Sequence, residues 1–134
     1  MTARIFVDSS VLVRGLSDDD PPRALAAARL LDGDSTLVLS TSVLIESVHA
    51  LRAETREQNP RIANALIEVL TRDNVELVDA EIGAVVAALR WSLRGSARRI
   101  PDALIAAAAE QARCDWIVTF DEGFSSHTVP VRLI

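Results

Sequence analysis

The chain contains no lysine, and all 14 of its basic residues are arginine. A P-loop nucleotide-binding site needs a lysine to contact the phosphates, and an enzyme that forms a Schiff base needs a lysine amine. A receiver-type phosphorylation domain needs a lysine as well. The absence of this one residue type therefore excludes three classes of function.

Cysteine is almost absent, since Cys114 is the single one in the sequence. No internal disulfide can form, which is typical of a protein kept in the reducing cytoplasm. The two histidines, His49 and His127, lie far apart in sequence, and with only Cys114 to join them a zinc site is not expected. We therefore expect a cytoplasmic protein without a zinc centre.

Long apolar runs are absent too. The longest uncharged run, residues 35–45, is too short to cross a bilayer and is interrupted by serine and threonine. The first residues have the pattern of a strand that ends at Asp8 rather than the pattern of a signal peptide. We expect no association with a membrane.

The few glycines do not form a nucleotide-binding or hydrolase motif. The five of them give no Gly-x-Gly-x-x-Gly pattern, and no Gly-x-Ser-x-Gly elbow is present. A phosphatase of the haloacid dehalogenase type needs a second aspartate two residues after the first, and Ser10 occupies that place after Asp8.

The net charge of −5 argues against a protein that coats DNA, but it does not exclude an enzyme that acts on RNA.

The residues that are present predict an α/β fold. The chain has 134 residues, 49% of them hydrophobic, which is enough for a single domain over residues 1–134 with its own core. Strands alternating with helices indicate a mostly parallel central sheet with helices on both faces, and we expect Trp91 and Trp116 in the core. Strand patterns cover residues 4–7, 36–39, 75–78, 116–119 and 129–133, and helical patterns cover residues 9–16, 23–31, 43–56, 60–70, 80–93 (capped by Asp79) and 102–112.

Four acidic residues lie at related places in this pattern: Asp8, Glu46, Asp102 and Asp121. Each follows a strand or lies in the first turns of a helix, and in a parallel α/β sheet those positions share one edge, where such folds place their chemistry. Carboxylates gathered at one edge repel each other unless a cation lies among them. Mg²⁺ or Mn²⁺ prefers oxygen ligands, so the pattern predicts a divalent-metal site and a hydrolase.

Each acid also has an ordinary structural interpretation. Asp8 is well placed to cap a helix, Asp102 lies where the helix dipole favours an acid, and Asp121 follows a strand as turn aspartates do. Glu46 points away from the apolar stripe of its helix, as a solvent-facing charge would. The metal-site hypothesis therefore depends on the four acids acting together.

At these acids the chain resembles the PIN-domain family, and in particular the VapC-type toxins of toxin–antitoxin pairs. The resemblance extends over nearly the whole chain. It is carried by four segments in order: Ile5-Phe6-Val7-Asp8-Ser9-Ser10-Val11-Leu12-Val13, then Ser42 to Glu46, then Pro101-Asp102-Ala103-Leu104-Ile105-Ala106-Ala107-Ala108-Ala109, and Ile117-Val118-Thr119-Phe120-Asp121-Glu122-Gly123-Phe124.

The resemblance implies a Rossmann-like α/β/α sandwich and an endoribonuclease that depends on Mg²⁺ or Mn²⁺. It also implies a homodimer and a cognate antitoxin that covers the active site. Two positions depart from the family pattern: Gly123 stands where many relatives have a further aspartate, and Ala108 stands where many have threonine.

On this basis each residue receives an expected role in hydrolysis of an RNA phosphodiester. Asp8 and Asp102 are the main metal ligands, Asp121 supports them, and Glu46 holds a second ion or positions the attacking water. The hydroxyls expected to orient the carboxylates belong to Ser9, Ser10 and Thr119, and the arginines expected to contact RNA phosphate are Arg14, Arg94, Arg98 and Arg99. The structural alternative for the hydroxyls is that they cap backbone groups. The structural alternative for the arginines is that they belong to a solvated linker. The alternative function is a catalytically silent PIN-like module that binds another protein.

Overall fold

The computed structural model describes residues 2–17, 20–55 and 58–134. It has the predicted alternation of strands and helices. In chain order the elements are β1 (Arg4–Phe6), α1 (Ser9–Leu16), α2 (Pro21–Leu31), β2 (Thr36–Leu39), α3 (Thr41–Glu54), α4 (Asn59–Leu70), β3 (Val75–Leu77), α5 (Ile82–Ser92), α6 (Ile100–Gln111), β4 (Ile117–Thr119) and β5 (Val131–Leu133). Arg56, the expected last residue of α3, lies outside the described residues.

The first three strands form a parallel sheet in which β2 lies between β1 and β3. Leu37, Val38 and Leu39 of β2 are all buried. Because successive side chains of a strand point to opposite faces, this unbroken burial shows that both faces of β2 are covered. The prediction of an α/β fold with parallel strands is confirmed.

The strands do not form one continuous sheet, however. β4 and β5 pair with each other in a second parallel sheet, and within the described residues β4 does not pair with β1. Phe6 of β1 and Val118 of β4 are 59% and 55% exposed, so the apolar side chains of these edge strands are not covered. Trp116, which the sequence places in the core, is exposed for the same reason, and the Arg132 guanidinium lies 3.6 Å from its ring centroid.

Local sequence signals explain where the helices begin. Asp8, Asp20 and Ser40 accept hydrogen bonds from the first turns of α1, α2 and α3. Proline occupies one of the first two positions of α2, α4 and α6, where its missing N–H costs nothing. These three caps and three proline starts place the ends of the helices beside the ends of the strands.

Asp79 behaves differently from the prediction that it caps α5. Its carboxylate accepts hydrogen bonds from the backbone N–H and the hydroxyl of Thr41, at 2.9 and 2.8 Å. α5 begins only at Ile82, with no side-chain cap. The reason is that β3 pairs with β2, so the residue that follows β3 lies beside the first turn of α3.

The core is formed by the inward sides of the helices around the three-stranded sheet. Leu12, Leu44, Leu66 and Leu89 come from four different helices and are fully buried. Alanines fill the contact between α5 and α6, where Ala88, Ala103 and Ala107 pack with Trp91. Small side chains let these two helices approach closely and hold α6, which carries Asp102, in place.

Candidate active site

Asp8 lies directly after β1 and caps α1. Its Oδ2 accepts hydrogen bonds from the Ser10 hydroxyl at 2.6 Å and from the Ser10 N–H at 3.1 Å. These bonds, the hydroxyl first, hold the pKa of the Asp8 carboxyl below its usual value. Asp8 is therefore ionised at neutral pH.

Glu46 is linked to the residue that follows Asp8. The Ser9 hydroxyl donates to Glu46 Oε2 at 2.8 Å, across 37 positions of sequence. Ser9 and Ser10 thus connect two acids, one at the end of β1 and one on α3. The exposure of Glu46 agrees with its position off the apolar stripe of α3, while Ser9 gives its carboxylate a fixed partner.

Asp102 and Asp121 form a second pair, which Arg99 connects. Arg99 Nε lies 3.0 Å from Asp102 Oδ2, and Arg99 Nη2 lies 2.5 Å from Asp121 Oδ2. Asp102 is buried in the first turn of α6, whereas Asp121 is exposed after β4. The guanidinium lowers the pKa of Asp121, and the hydrogen bond to Asp121 and then the charge of Asp102 raise the pKa of Arg99.

Thr119 and Gly123 fix the turn that carries Asp121. Thr119 Oγ1 accepts from the Asp121 N–H at 3.0 Å, so this hydroxyl contacts the backbone rather than the carboxylate. The Gly123 N–H donates to Asp121 Oδ1 at 2.8 Å and is the second cause of the lowered pKa of Asp121. A Cβ at Gly123 would lie 3.3 Å from that same oxygen, which is a tight contact.

The structure brings the four predicted acids together as two pairs, not as one cluster. Within residues 2–17, 20–55 and 58–134, no group of three His, Cys, Asp or Glu side chains could hold a metal ion. The separation has two causes: the strands that precede Asp8 and Asp121 belong to different sheets, and Arg99 already bridges the second pair and offsets one of its two negative charges. Chemically the residues fit Mg²⁺ or Mn²⁺, because all four donors are carboxylates.

The four predicted phosphate-contacting arginines have different surroundings. Arg99 binds the two aspartates, and Arg98 donates to the Trp91 carbonyl at 3.2 Å with its guanidinium 4.7 Å from the Trp91 ring centroid. Arg14 is partly exposed, 4.0 Å from Glu54. The Arg94 side chain is exposed and has no side-chain partner in the described part of the chain. Arg14 and Arg94 are therefore the two with a guanidinium available to an anion.

A cleft of about 540 Å³ adjoins Ser9 and Ser10, and sequence patterns did not indicate it. It lies between α1, α2 and α3, and alanines line part of it, leaving room between the helices. Its lining consists of Ser9, Ser10, Val11, Val13, Arg14, Arg23, Ala26, Ala27, Leu30, Ala50 and Glu54. The sequence patterns also did not indicate the role of Arg99, although its position three residues before Asp102 is a spacing that allows ion pairs on a helix.

No helix among the described residues is long and apolar enough to cross a membrane.

Among curated proteins, none matches the chain significantly. Among solved structures, the chain is similar to the crystal structure of Mycobacterium tuberculosis VapC20, a toxin that cleaves the sarcin–ricin loop, at 20% sequence identity and a TM-score of 0.44. That match covers 89% of this chain and 91% of the VapC20 chain.

The family comparison covers the site that the structure describes. The model of the PIN domain matches residues 5–129, a span that includes all four acids, both serines and Arg99. A match over most of the sequence, with the acids at the ends of parallel strands and the starts of helices, is evidence of common descent rather than of a shared motif alone. The chain belongs to the PIN-domain family.

Proposed function

We propose that the protein is an endoribonuclease that depends on Mg²⁺ or Mn²⁺ and acts as a VapC-type toxin. The observation that carries the proposal is the link between Asp8 and Glu46, made by the consecutive hydroxyls of Ser10 and Ser9 at the end of β1. Serine hydroxyls orient both carboxylates, and no cationic side chain of the described residues pairs with either, so the charge of both is open to a cation.

In this proposal Asp8 and Asp102 are the main ligands of the ion and Asp121 supports them. When bound, a divalent ion lowers the pKa of water and stabilises charge on the phosphate. Ser10 keeps Asp8 ionised and oriented, and Ser9 fixes Glu46 so that its free oxygen can position the attacking water or hold a second ion. Arg14 and Arg94 are the proposed contacts for RNA phosphates on either side of the bond to be cleaved.

The remaining features of a VapC-type toxin belong to the same proposal. Residues 1–134 form one PIN domain, the protein acts on RNA in the cytoplasm, and it forms a homodimer. A cognate antitoxin neutralises it by covering the acidic site. The match to the PIN-domain model over residues 5–129 supports this assignment.

The second candidate is a catalytically silent PIN-like module that binds another protein. One observation favours it: Arg99 pairs with both Asp102 and Asp121, so each of these carboxylates already has a cationic partner. Such a module would keep its fold and its acids but would have no affinity for Mn²⁺.

Stabilisation by Mn²⁺ separates the two candidates. A ligand that binds only the folded state at 100 times its Kd stabilises that state by about 2.7 kcal/mol. For a chain of this size we expect the Tm to rise by roughly 5–15 °C. Thermal unfolding with increasing Mn²⁺ measures the effect, and Asp8→Asn should abolish most of it. An unchanged Tm at millimolar Mn²⁺ would support the silent module.

A further inference from the structure

We propose that Arg99 is an internal competitor of the divalent ion: its guanidinium occupies Asp102 and Asp121 and must leave before both can bind metal. The proposal rests on the proposed function, because it concerns how that site is loaded. In this proposal Arg99 is a positioning residue that keeps Asp102 and Asp121 from binding a metal ion. The sequence had suggested instead that Arg99 contacts RNA phosphate.

The geometry of Arg99 is that of a bridge between two acids from different elements. Nε faces Asp102 at the start of α6, and Nη2 faces Asp121 after β4. The planar fork of arginine can hold two carboxylates at once in a way that a lysine ammonium cannot. Both carboxylates bound by Arg99 are proposed metal ligands, so the guanidinium and the ion would compete for the same carboxylates.

Helix stability does not account for a cation at this place. Arg99 is the residue immediately before α6, and its side chain makes no capping hydrogen bond. The amino end of a helix carries partial positive charge, which disfavours a cation there and favours acids such as Asp102. The ion pairs with the two carboxylates therefore offset the unfavourable interaction between the Arg99 charge and the positive end of the helix. Ion pairs that are favourable at this position imply that Arg99 has a role other than capping the helix.

The other half of the site differs in the way its charge is balanced. Asp8 and Glu46 are held by serine hydroxyls, which orient a carboxylate without neutralising it. The pair around Arg99 is held by a side chain that is 41% exposed, so water can replace its contacts. Asp8 and Glu46 would therefore be open to a divalent ion, whereas Asp102 and Asp121 would become available to it only when Arg99 has left them.

Mn²⁺ affinity in Arg99→Gln tests the proposal. If Arg99 competes with the ion, removing its charge should tighten Mn²⁺ binding by about fivefold or more, as expected for two coupled ligands. Calorimetric titration with Mn²⁺ gives the Kd, and circular dichroism confirms the fold. Damage to the site would weaken binding, so the expected change has the opposite sign from a merely structural effect.

A matched control uses an arginine on the far side of the molecule. Arg72 pairs with Asp32 at 2.7 Å and lies in the turn before β3, at the opposite edge of the sheet from Asp8. Arg72→Gln removes the same charge and one ion pair, and we expect its Kd for Mn²⁺ to equal that of the unmodified protein. A second readout is the NMR signal of the Arg99 Nε–H, which should shift when Mg²⁺ is added to the unmodified protein.

The outcomes distinguish this inference from the proposed function. Tighter binding in Arg99→Gln with an unchanged Arg72→Gln supports the competition. If the unmodified protein binds Mn²⁺ and folded Arg99→Gln binds it equally or more weakly, the competition is overturned and the proposed function stands. If neither binds Mn²⁺, the proposed function fails and this inference fails with it.

Discussion

Replacing Asp8 by asparagine is expected to reduce the rate of RNA cleavage by at least about a hundredfold. The Asp8→Asn variant would keep the cap on α1, because asparagine caps helices as well as aspartate does. It would lack the charge that attracts the ion. The variant thus separates the chemical role of this residue from its structural one.

The measurement is the initial rate of cleavage of total RNA in Mg²⁺, with circular dichroism to confirm the fold. Asp73→Asn is the control, because Asp73 is an exposed aspartate in the turn before β3, at the opposite edge of the sheet. We expect Asp73→Asn to cleave at the normal rate. If Asp8→Asn keeps more than about a tenth of the normal rate, Asp8 is not a main ligand of the catalytic ion.

Replacing Leu44 by alanine is expected to lower the free energy of unfolding by about 2–5 kcal/mol. Leu44 is fully buried in the core and lies two residues before Glu46 on α3. The loss has two sources. The deleted atoms no longer contribute the free energy gained when apolar atoms move from water into the core, and they leave a cavity behind. It is a large part of the roughly 5–15 kcal/mol that stabilises a typical domain.

Urea denaturation followed by circular dichroism measures this loss. Leu25→Ala is the matched control, since Leu25 is a helical leucine that is 54% exposed. We expect Leu25→Ala to change the stability by no more than about 0.5 kcal/mol. Equal losses in the two variants would contradict the complete burial of Leu44 in the core.

Much of the fold could be predicted from local patterns. Ser40 caps α3, and Leu44, Val48 and Leu51 are buried, as the spacing of apolar residues indicated. Asp8 has the local geometry of a helix cap, with Ser10 as its partner. These features depend on residues that are close in sequence, where propensity and periodicity are informative.

The contacts that close the site could not be predicted in the same way. The Ser9–Glu46 hydrogen bond and the Arg99–Asp121 ion pair join residues 37 and 22 positions apart. The prediction for Asp79 named the wrong helix because its partner, Thr41, depends on the pairing of β2 with β3. Side chains at the ends of strands find partners through the order of the strands, which periodicity does not encode.

Arg99 changes the interpretation of the acidic motif most. On the sequence alone, four acids at one sheet edge implied one cluster around an ion. In the structure, the second pair already has a cation in Arg99, and the first has hydroxyls and a backbone N–H but no cationic partner among the described residues. Under the proposed competition, an arginine and a metal ion would use the same carboxylates of this motif.

The most direct test of the account is cleavage of total cellular RNA by the purified protein in Mg²⁺ or Mn²⁺, beside a sample with EDTA. Metal-dependent hydrolysis predicts discrete fragments in the presence of the ion, no fragments with EDTA, and recovery of cleavage when excess Mg²⁺ is added back. Fragments that form equally in EDTA would contradict metal-dependent hydrolysis. Absence of cleavage by folded protein that binds Mn²⁺ would contradict the assignment of ribonuclease activity on these RNAs.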